Sequence, residues 1–303
     1  MYQILKHFLV ILMMAYASFG FSKTFTFKSF YYPNADDVVK LKAYDAELNL
    51  EVCCYFPDMY DYMHLKKLNL KKLKITAGYF PTSFQMKLLD RLSETKIEIE
   101  VSNVFANEMD HQIINNSKLA SLIINSDEYL TKEEVDSYNH FKKDVRINIL
   151  KREYPLPKHM KFLKMLNPKF TVGFFNKVPP GPGYANFFND LKMNKVFVIV
   201  EQFPYGMDAV GINMLTQSKI EIMADEKLMP QDVEIINQIK IESTILLKDQ
   251  YPLNDEFFNS LLGIKGKIIS LEDNGTGDLL TDKYDEILSQ SESEISFKFP
   301  RLF

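Results

Sequence analysis

The chain reads as an α/β protein, an open solenoid in which parallel strands alternate with short helices. Three observations predict this. First, short alternating apolar runs recur at Leu73-Lys74-Ile75, Ile97-Glu98-Ile99, Leu122-Ile123-Ile124, Val145-Arg146-Ile147 and Phe170-Thr171-Val172. They continue at Val196-Phe197-Val198, Ile220-Glu221-Ile222, Thr244-Ile245-Leu246, Ile268-Ile269-Ser270 and Ile295-Ser296-Phe297. Each run starts about 24 residues after the one before it, within the range of solenoid repeats. Period-two alternation rich in β-branched residues is the mark of a half-buried strand. Second, between these runs lie apolar residues spaced for one helix face: Leu88-Leu89 with Leu92, Phe187-Phe188 with Leu191, Ile235-Ile236 with Ile239, and Phe257-Phe258 with Leu261. Third, the return from the last helical apolar residue to the next strand is short and nearly constant, as in Leu92 to Ile97, Leu191 to Val196 and Leu215 to Ile220. A fixed short return stacks each unit on its predecessor in the same way.

Helix starts are written in the sequence as well. Thr131-Lys132-Glu133-Glu134, Asn254-Asp255-Glu256 and Thr281-Asp282-Lys283 each offer a capping side chain followed by acidic residues in the first turn. A (β/α)8 barrel is the alternative architecture, but it closes after eight strands with about 30 residues per unit. Ten units of about 24 residues fit an open array of 20- to 29-residue repeats better.

Residues 1–22 read as a secretory signal peptide: Lys6 and His7, an uncharged run from Phe8 to Tyr16, then small residues at Ala15, Ala17, Ser18 and Gly20. The run is too short to span a bilayer comfortably, and no later stretch is long and apolar enough to do so. Export to the periplasm or the extracellular space follows. Residues 23–64 hold three alternating stretches, Thr24 to Phe27, Val38 to Leu41 and Leu48 to Val52, that fall out of the repeat phase. They are expected to form an N-terminal β-cap, because the end of a solenoid must be covered. Residues 65–303 then carry the repeats, and a tail strand from Ile295 to Phe299 closes the far end. Cys53 and Cys54, the two cysteines, fall on opposite faces if the strand runs from Leu48 to Phe56; they are read as small apolar residues, with free thiols, interchain pairing and a vicinal disulfide left open.

Individual segments resemble leucine-rich repeats. Leu119-Ala120-Ser121-Leu122-Ile123-Ile124-Asn125-Ser126-Asp127 is similar to the family core L-x-x-L-x-L-x-x-N with Asp in the last place, and Met193 to Val198 is similar to its first six positions. Leu130 to Val135, Leu253 to Phe257 and Leu280 to Tyr284 look like the outer, helical half of such a unit. The likeness covers roughly residues 65–299. It implies a horseshoe whose curved sheet binds another protein. The ladder position seldom holds Asn and Leu is often replaced by Ile, Val or Phe, so the resemblance does not imply an asparagine ladder running the length of the array.

With Ile97, Ile99, Val145, Ile147, Val196, Val198, Ile220 and Ile222 in the core, the alternate residues line the other face. Glu98, Glu100, Arg146, Asn148, Phe197, Ile199, Glu221 and Met223 are therefore the candidate partner-binding residues, with Thr171 beside them. Phe197, Ile199, Met223, Ile245 and Leu247 would make a more apolar stretch, against charged early repeats. The competing possibility is burial on both sides, as in a barrel.

Other chemistries find little support. The net charge is −4 with both signs intermixed, so nothing suggests a nucleic-acid footprint. The five histidines lack metal-ligand spacing, the serines lack a nucleophile-elbow setting, and Pro179 to Gly183 lacks the Lys-Ser/Thr of a phosphate loop. Asp127, Glu201, Asp225, Asp249 and Asp273 follow strands: in a barrel they would sit at a hydrolase rim, and in a solenoid they are turn residues. Asp273 to Asp278 misses the EF-hand spacing. Asn115-Asn116-Ser117 and Asn274-Gly275-Thr276 are glycosylation sequons. A protein partner, no enzyme activity, no cofactor, no metal and no nucleic acid are expected.

Overall fold

Parallel strands cross one sheet in strict chain order, and their register shows why the sequence period is so regular. The computed structural model describes residues 24–43, 47–216, 218–224, 226–248, 255–272 and 291–298. The strands are β1 (Thr24–Ser29), β2 (Glu47–Cys53), β3 (Leu70–Ala77), β4 (Lys96–Ser102), β5 (Ser121–Ser126) and β6 (Val145–Arg152). They continue as β7 (Thr171–Asn176), β8 (Lys195–Val200), β9 (Ser218–Ala224), β10 (Ser243–Lys248), β11 (Ile268–Glu272) and β12 (Glu294–Lys298). The sheet order is β1 to β12 without a crossover, and β1 and β12 stand at opposite edges. The sheet is open, so the closed eight-strand barrel is not the architecture.

A helix follows each of the first ten strands: α1 (Ala35–Lys42), α2 (Met59–Leu65), α3 (Ser83–Asp90), α4 (Glu108–Asn115), α5 (Lys132–Tyr138), α6 (Pro157–Leu163), α7 (Pro182–Asn189), α8 (Asp208–Asn213), α9 (Pro230–Gln238) and α10 (Asp255–Gly263). The offset between register partners stays close to the sequence period, being shorter from Val198 to Ile220 and longer from Ile269 to Ile295. Val52, Ile75, Ile99, Leu122 and Val145 stand in one register column, and none is more than 2% exposed. Burying each such side chain contributes about 1.5–3 kcal/mol. Every helix adds residues to the same core, from Val38 and Leu41 of α1 to Phe257, Phe258 and Leu261 of α10. The described helices therefore cover one face of the sheet, and among the described residues no element covers the other.

The first two units correct the expected cap. Val38 to Leu41 is helical, because Asn34 and Asp37 form a reciprocal capping box and Val38 and Leu41, three apart, turn to the core together. With that helix in place, β1 and β2 pair in parallel, Phe27 beside Leu50, and the same offset carries Leu50 of β2 to Leu73 of β3. These units are in phase. The strand at the far end runs from Glu294 to Lys298; Phe299 lies outside the described residues.

Capping boxes recur at Asp58 with Asp61, Thr82 with Gln85, Asn107 with Asp110 and Thr131 with Glu134. The last is the expected one; the expected starts at Asn254 and Thr281 lie outside the described residues. At the other end of the helices an asparagine ladder ties each unit to the next. The Asn115 amide donates to the His140 carbonyl at 2.9 Å while its oxygen accepts from Lys142 N–H at 2.7 Å. Asn139 does the same with Met165 and Asn167, Asn189 with Met214 and Thr216, Asn213 with Gln238 and Lys240, and Asn237 with Gly263 and Lys265. Asp90 begins the series by accepting from Lys118 N–H, and an ion pair between Lys164 and Asp190 stands where α6 lacks its asparagine. These bonds satisfy return-loop groups that no strand or helix reaches.

Candidate functional site on the open sheet face

The open face is built by the strand residues that alternate with the core. All eight expected core residues are buried, with at most 3% exposure, so the assignment of faces holds from β4 to β9. It fails at β10. Ile245 pairs with Ile222 and Leu247 with Ala224, which places both in the core and leaves Thr244, Leu246 and Lys248 on the open side. The cause is the register between β9 and β10, which sets Ile245 opposite Ile222 rather than opposite Glu221. A one-residue slip of this kind exchanges the two faces of a strand.

A chain of polar contacts runs across this face from β3 to β9. Lys74 Nζ meets Glu100 Oε2 at 2.5 Å, and Glu100 Oε1 accepts from Asn125 Nδ2 at 2.6 Å. Asn125 Oδ1 accepts from Asn148 Nδ2 at 2.8 Å, and Asn148 Oδ1 accepts from Arg146 Nε at 2.8 Å. A terminal nitrogen of Arg146 then lies 3.6 Å from Glu221 Oε1. Both amides point the same way, oxygen toward the guanidinium and nitrogen toward the carboxylate. They link a cation to an anion through aligned dipoles, an arrangement in which each bond polarises the next. Asn125 and Asn148 are buried, so their bonds form in a low-dielectric setting.

Gly173 on β7 makes room for this chain. A Cβ there would lie 2.5 Å from Asn148 Oδ1 and 3.6 Å from an Arg146 terminal nitrogen. With no side chain in the way, Arg146 extends over β7, sets its guanidinium 4.4 Å from the ring centre of Phe197 on β8, and reaches β9. Three strand spacings of about 4.8 Å separate β6 from β9, so the link covers about 14 Å. Glu98 belongs to a second ionic group, 2.6 Å from Lys72 and 3.9 Å from Lys96.

Of the eight candidate residues, Glu100, Asn148, Arg146, Phe197 and Glu221 come together in this chain, and Glu98 lies beside it in the neighbouring ionic group. Ile199 does not act as an exposed apolar residue: it stands in register between Phe175 and Glu221 with 1% exposure. Met223 is half-buried on β9. Lys74, Asn125 and Gly173 are not among the eight candidates that alternation singles out. The signal was present for Gly173, a lone glycine inside a strand, which often marks close approach of another group.

At the ends of the strands, Glu201 pairs with Arg152 at 2.9 Å, and Asp127 exchanges hydrogen bonds with the side chain of Asn103, which has φ of 54°. Asp127 joins one turn to the next, and Glu201 reaches past the end of β7 to the end of β6. Asp225, Asp249 and Asp273 lie outside the described residues, as do the Asp273–Asp278 stretch and residues 1–22. Cys53 and Cys54 are joined as a vicinal disulfide. The strand ends at Cys53 rather than running to Phe56, since Cys54 adopts φ of 88° and its N–H bonds to the Thr76 carbonyl. Asn115 of the first sequon already uses its amide nitrogen in the ladder. Among the described residues no cluster of three or more His, Cys, Asp or Glu side chains could hold a metal ion, and no helix is long and apolar enough to cross a membrane.

No protein-family model, curated protein or solved structure matches the chain. The residues of the open face themselves therefore carry the functional argument.

Proposed function

We propose that the chain is a non-enzymatic, exported binding scaffold of the leucine-rich-repeat-like kind, which presents its open sheet face to another protein. The observation that carries this reading is the open face itself. It bears an ordered charge-and-amide chain from β3 to β9, while every described helix packs on the opposite side. A buried polar network on a face that no described element covers holds its side chains in fixed positions. Fixed side chains lose less entropy on binding than mobile ones, which favours recognition.

Geometry supports a horseshoe. Strands are spaced about 4.8 Å apart and packed helices about 8–10 Å, so helices on one side force the sheet to curve with its open face inside. Such a surface suits an extended protein partner that meets acidic and basic groups in the early repeats and Phe197, Met223 and Leu246 later on. The vicinal disulfide suits an oxidising compartment, in keeping with export.

A photoreactive residue placed at Phe197 or Met223, on the open face, and at Val210, exposed on α8, tests the proposal in the native secretion medium or periplasm. Adducts with one protein from the open-face positions, and none from Val210, are expected. Adducts from Val210 alone, or no adduct together with hydrolysis of a polysaccharide or phosphodiester panel, would overturn it.

A further inference from the structure

The strand-to-helix turns and first helical turns of the first four units form a second surface, at the edge of the sheet where the strands end. Tyr31, Tyr79 and Phe105 stand in the turns; Tyr60, Phe84 and Met109 are the second residues of α2, α3 and α4. All six are between 42% and 73% exposed. The residue after each turn aromatic is instead buried: Tyr32, Phe80 and Ala106, like Phe56 in the second unit, anchor the turns in the core. The outward positions therefore recur with the repeat, in the turns and at the helix starts.

The charge on this edge has a single sign. Residues 30–39, 54–65, 78–86 and 103–115 contain Asp36, Asp37, Asp58, Asp61, Glu108 and Asp110 but neither Lys nor Arg. The capping boxes use several of these carboxylates as acceptors of backbone N–H groups, which leaves their charge in place. Lys40, from the far end of α1, approaches Asp37 at 3.9 Å. From the fifth unit onward the pattern ends, because Lys132, Lys151, Arg152 and Lys158 enter the same positions.

We infer that this aromatic and acidic edge docks a cationic amphipathic segment of a partner protein. Lys or Arg side chains of such a segment meet the carboxylates and the faces of the tyrosine and phenylalanine rings, while its apolar side covers Met109 and Phe84. Four helices at about 8–10 Å spacing offer a track of about 27 Å, the length of an 18-residue helix. An anionic membrane surface is disfavoured by the same carboxylates. The surface is separate from the open sheet face, and the inference does not rest on the function proposed for that face.

The test uses the full chain and a Leu/Lys amphipathic helical peptide of about 18 residues, with its Leu/Glu isomer and anionic vesicles as comparisons. Asp36→Lys with Glu108→Lys removes charge without touching a capping acceptor, and Phe84→Ser with Phe105→Ser removes exposed apolar surface. Each pair should weaken Leu/Lys binding at least about tenfold, as should raised salt for the charge term. Met207→Ser with Val210→Ser, also exposed but in the eighth unit, should leave it unchanged. Equal binding of the Leu/Glu isomer, loss of binding in the Met207/Val210 pair alone, no binding of either peptide, or flotation with vesicles without peptide binding would each overturn the inference.

Discussion

Replacing Gly173 by Ala puts the open-face network to a quantitative test. The new methyl carbon would lie 2.5 Å from Asn148 Oδ1, well inside van der Waals contact, so the Asn148 amide has to swing away. Its bonds to Asn125 and to Arg146 Nε, both 2.8 Å, are then broken. The amide–amide bond is worth about 1 kcal/mol net and the bond to the guanidinium about 1.5–3 kcal/mol. Against this, Ala in place of Gly lowers the entropy of the unfolded chain by about 0.4–1 kcal/mol. The variant should therefore be less stable by about 1.5–3.6 kcal/mol. In an Asn148→Ala background the obstruction is gone, and the same substitution should be neutral or stabilising by about 0.4–1 kcal/mol. Urea denaturation of the four proteins gives the double-mutant cycle, with hydrogen exchange on β6 and β7 localising the loss if unfolding is not all-or-none. An equal cost of Gly173→Ala in both backgrounds, or stabilisation in the wild-type background, would refute the reasoning.

Asn213→Ala deletes bonds to the Gln238 carbonyl and the Lys240 N–H at 2.8 and 2.6 Å; a loss of about 1–3 kcal/mol is expected, with Lys240 N–H losing exchange protection first. His159 accepts the Leu156 N–H at Nδ1 and stacks on Tyr129 at 4.1 Å, and burial, with Lys158 and Lys151 nearby, lowers its pKa below the ordinary histidine value. A histidine depressed in this way stabilises the fold above its unfolded pKa, near about 6.5, and that contribution is lost as pH falls through the folded value. The melting temperature should thus fall between about pH 7.5 and about pH 5, and less steeply in His159→Gln. The vicinal disulfide predicts that alkylation of the unreduced, denatured chain leaves both cysteines unmodified, and that reduction makes both reactive.

The array was legible in the sequence because one face of the strands from β1 to β11 is buried, so the apolar alternation repeats with them. Two features escaped the period. Val38 to Leu41 alternates like a strand by chance of composition, and only the capping pair Asn34 and Asp37 shows that it is a helix start. The register sets Ile245 of β10 opposite Ile222, one residue off the step from Ile220 to Thr244 that the apolar runs indicate, and Ile245-Leu246-Leu247 is apolar on both faces, so the pattern shows no break. That slip misplaced Ile245 and Leu247. The ladder Asn115, Asn139, Asn189, Asn213 and Asn237 follows the repeat, skipping one unit, yet it sits in the helix return rather than at the leucine-rich-repeat position. On the open face, types and sides of Glu100, Arg146, Asn148 and Glu221 could be read from alternation. Their linkage could not, because it depends on side chains reaching one to three strands away over a glycine.

The openness of the array decides whether that face is available at all. Spin labels at Thr26→Cys on β1 and Glu294→Cys on β12, both exposed positions, report it by a pulsed dipolar distance. Eleven strand spacings of about 4.8 Å amount to about 53 Å along the sheet, and curvature shortens the direct path, so a separation above about 20 Å is expected. A separation near about 5 Å between the labelled backbones, the spacing of paired strands, would mean that the sheet closes and would contradict the account.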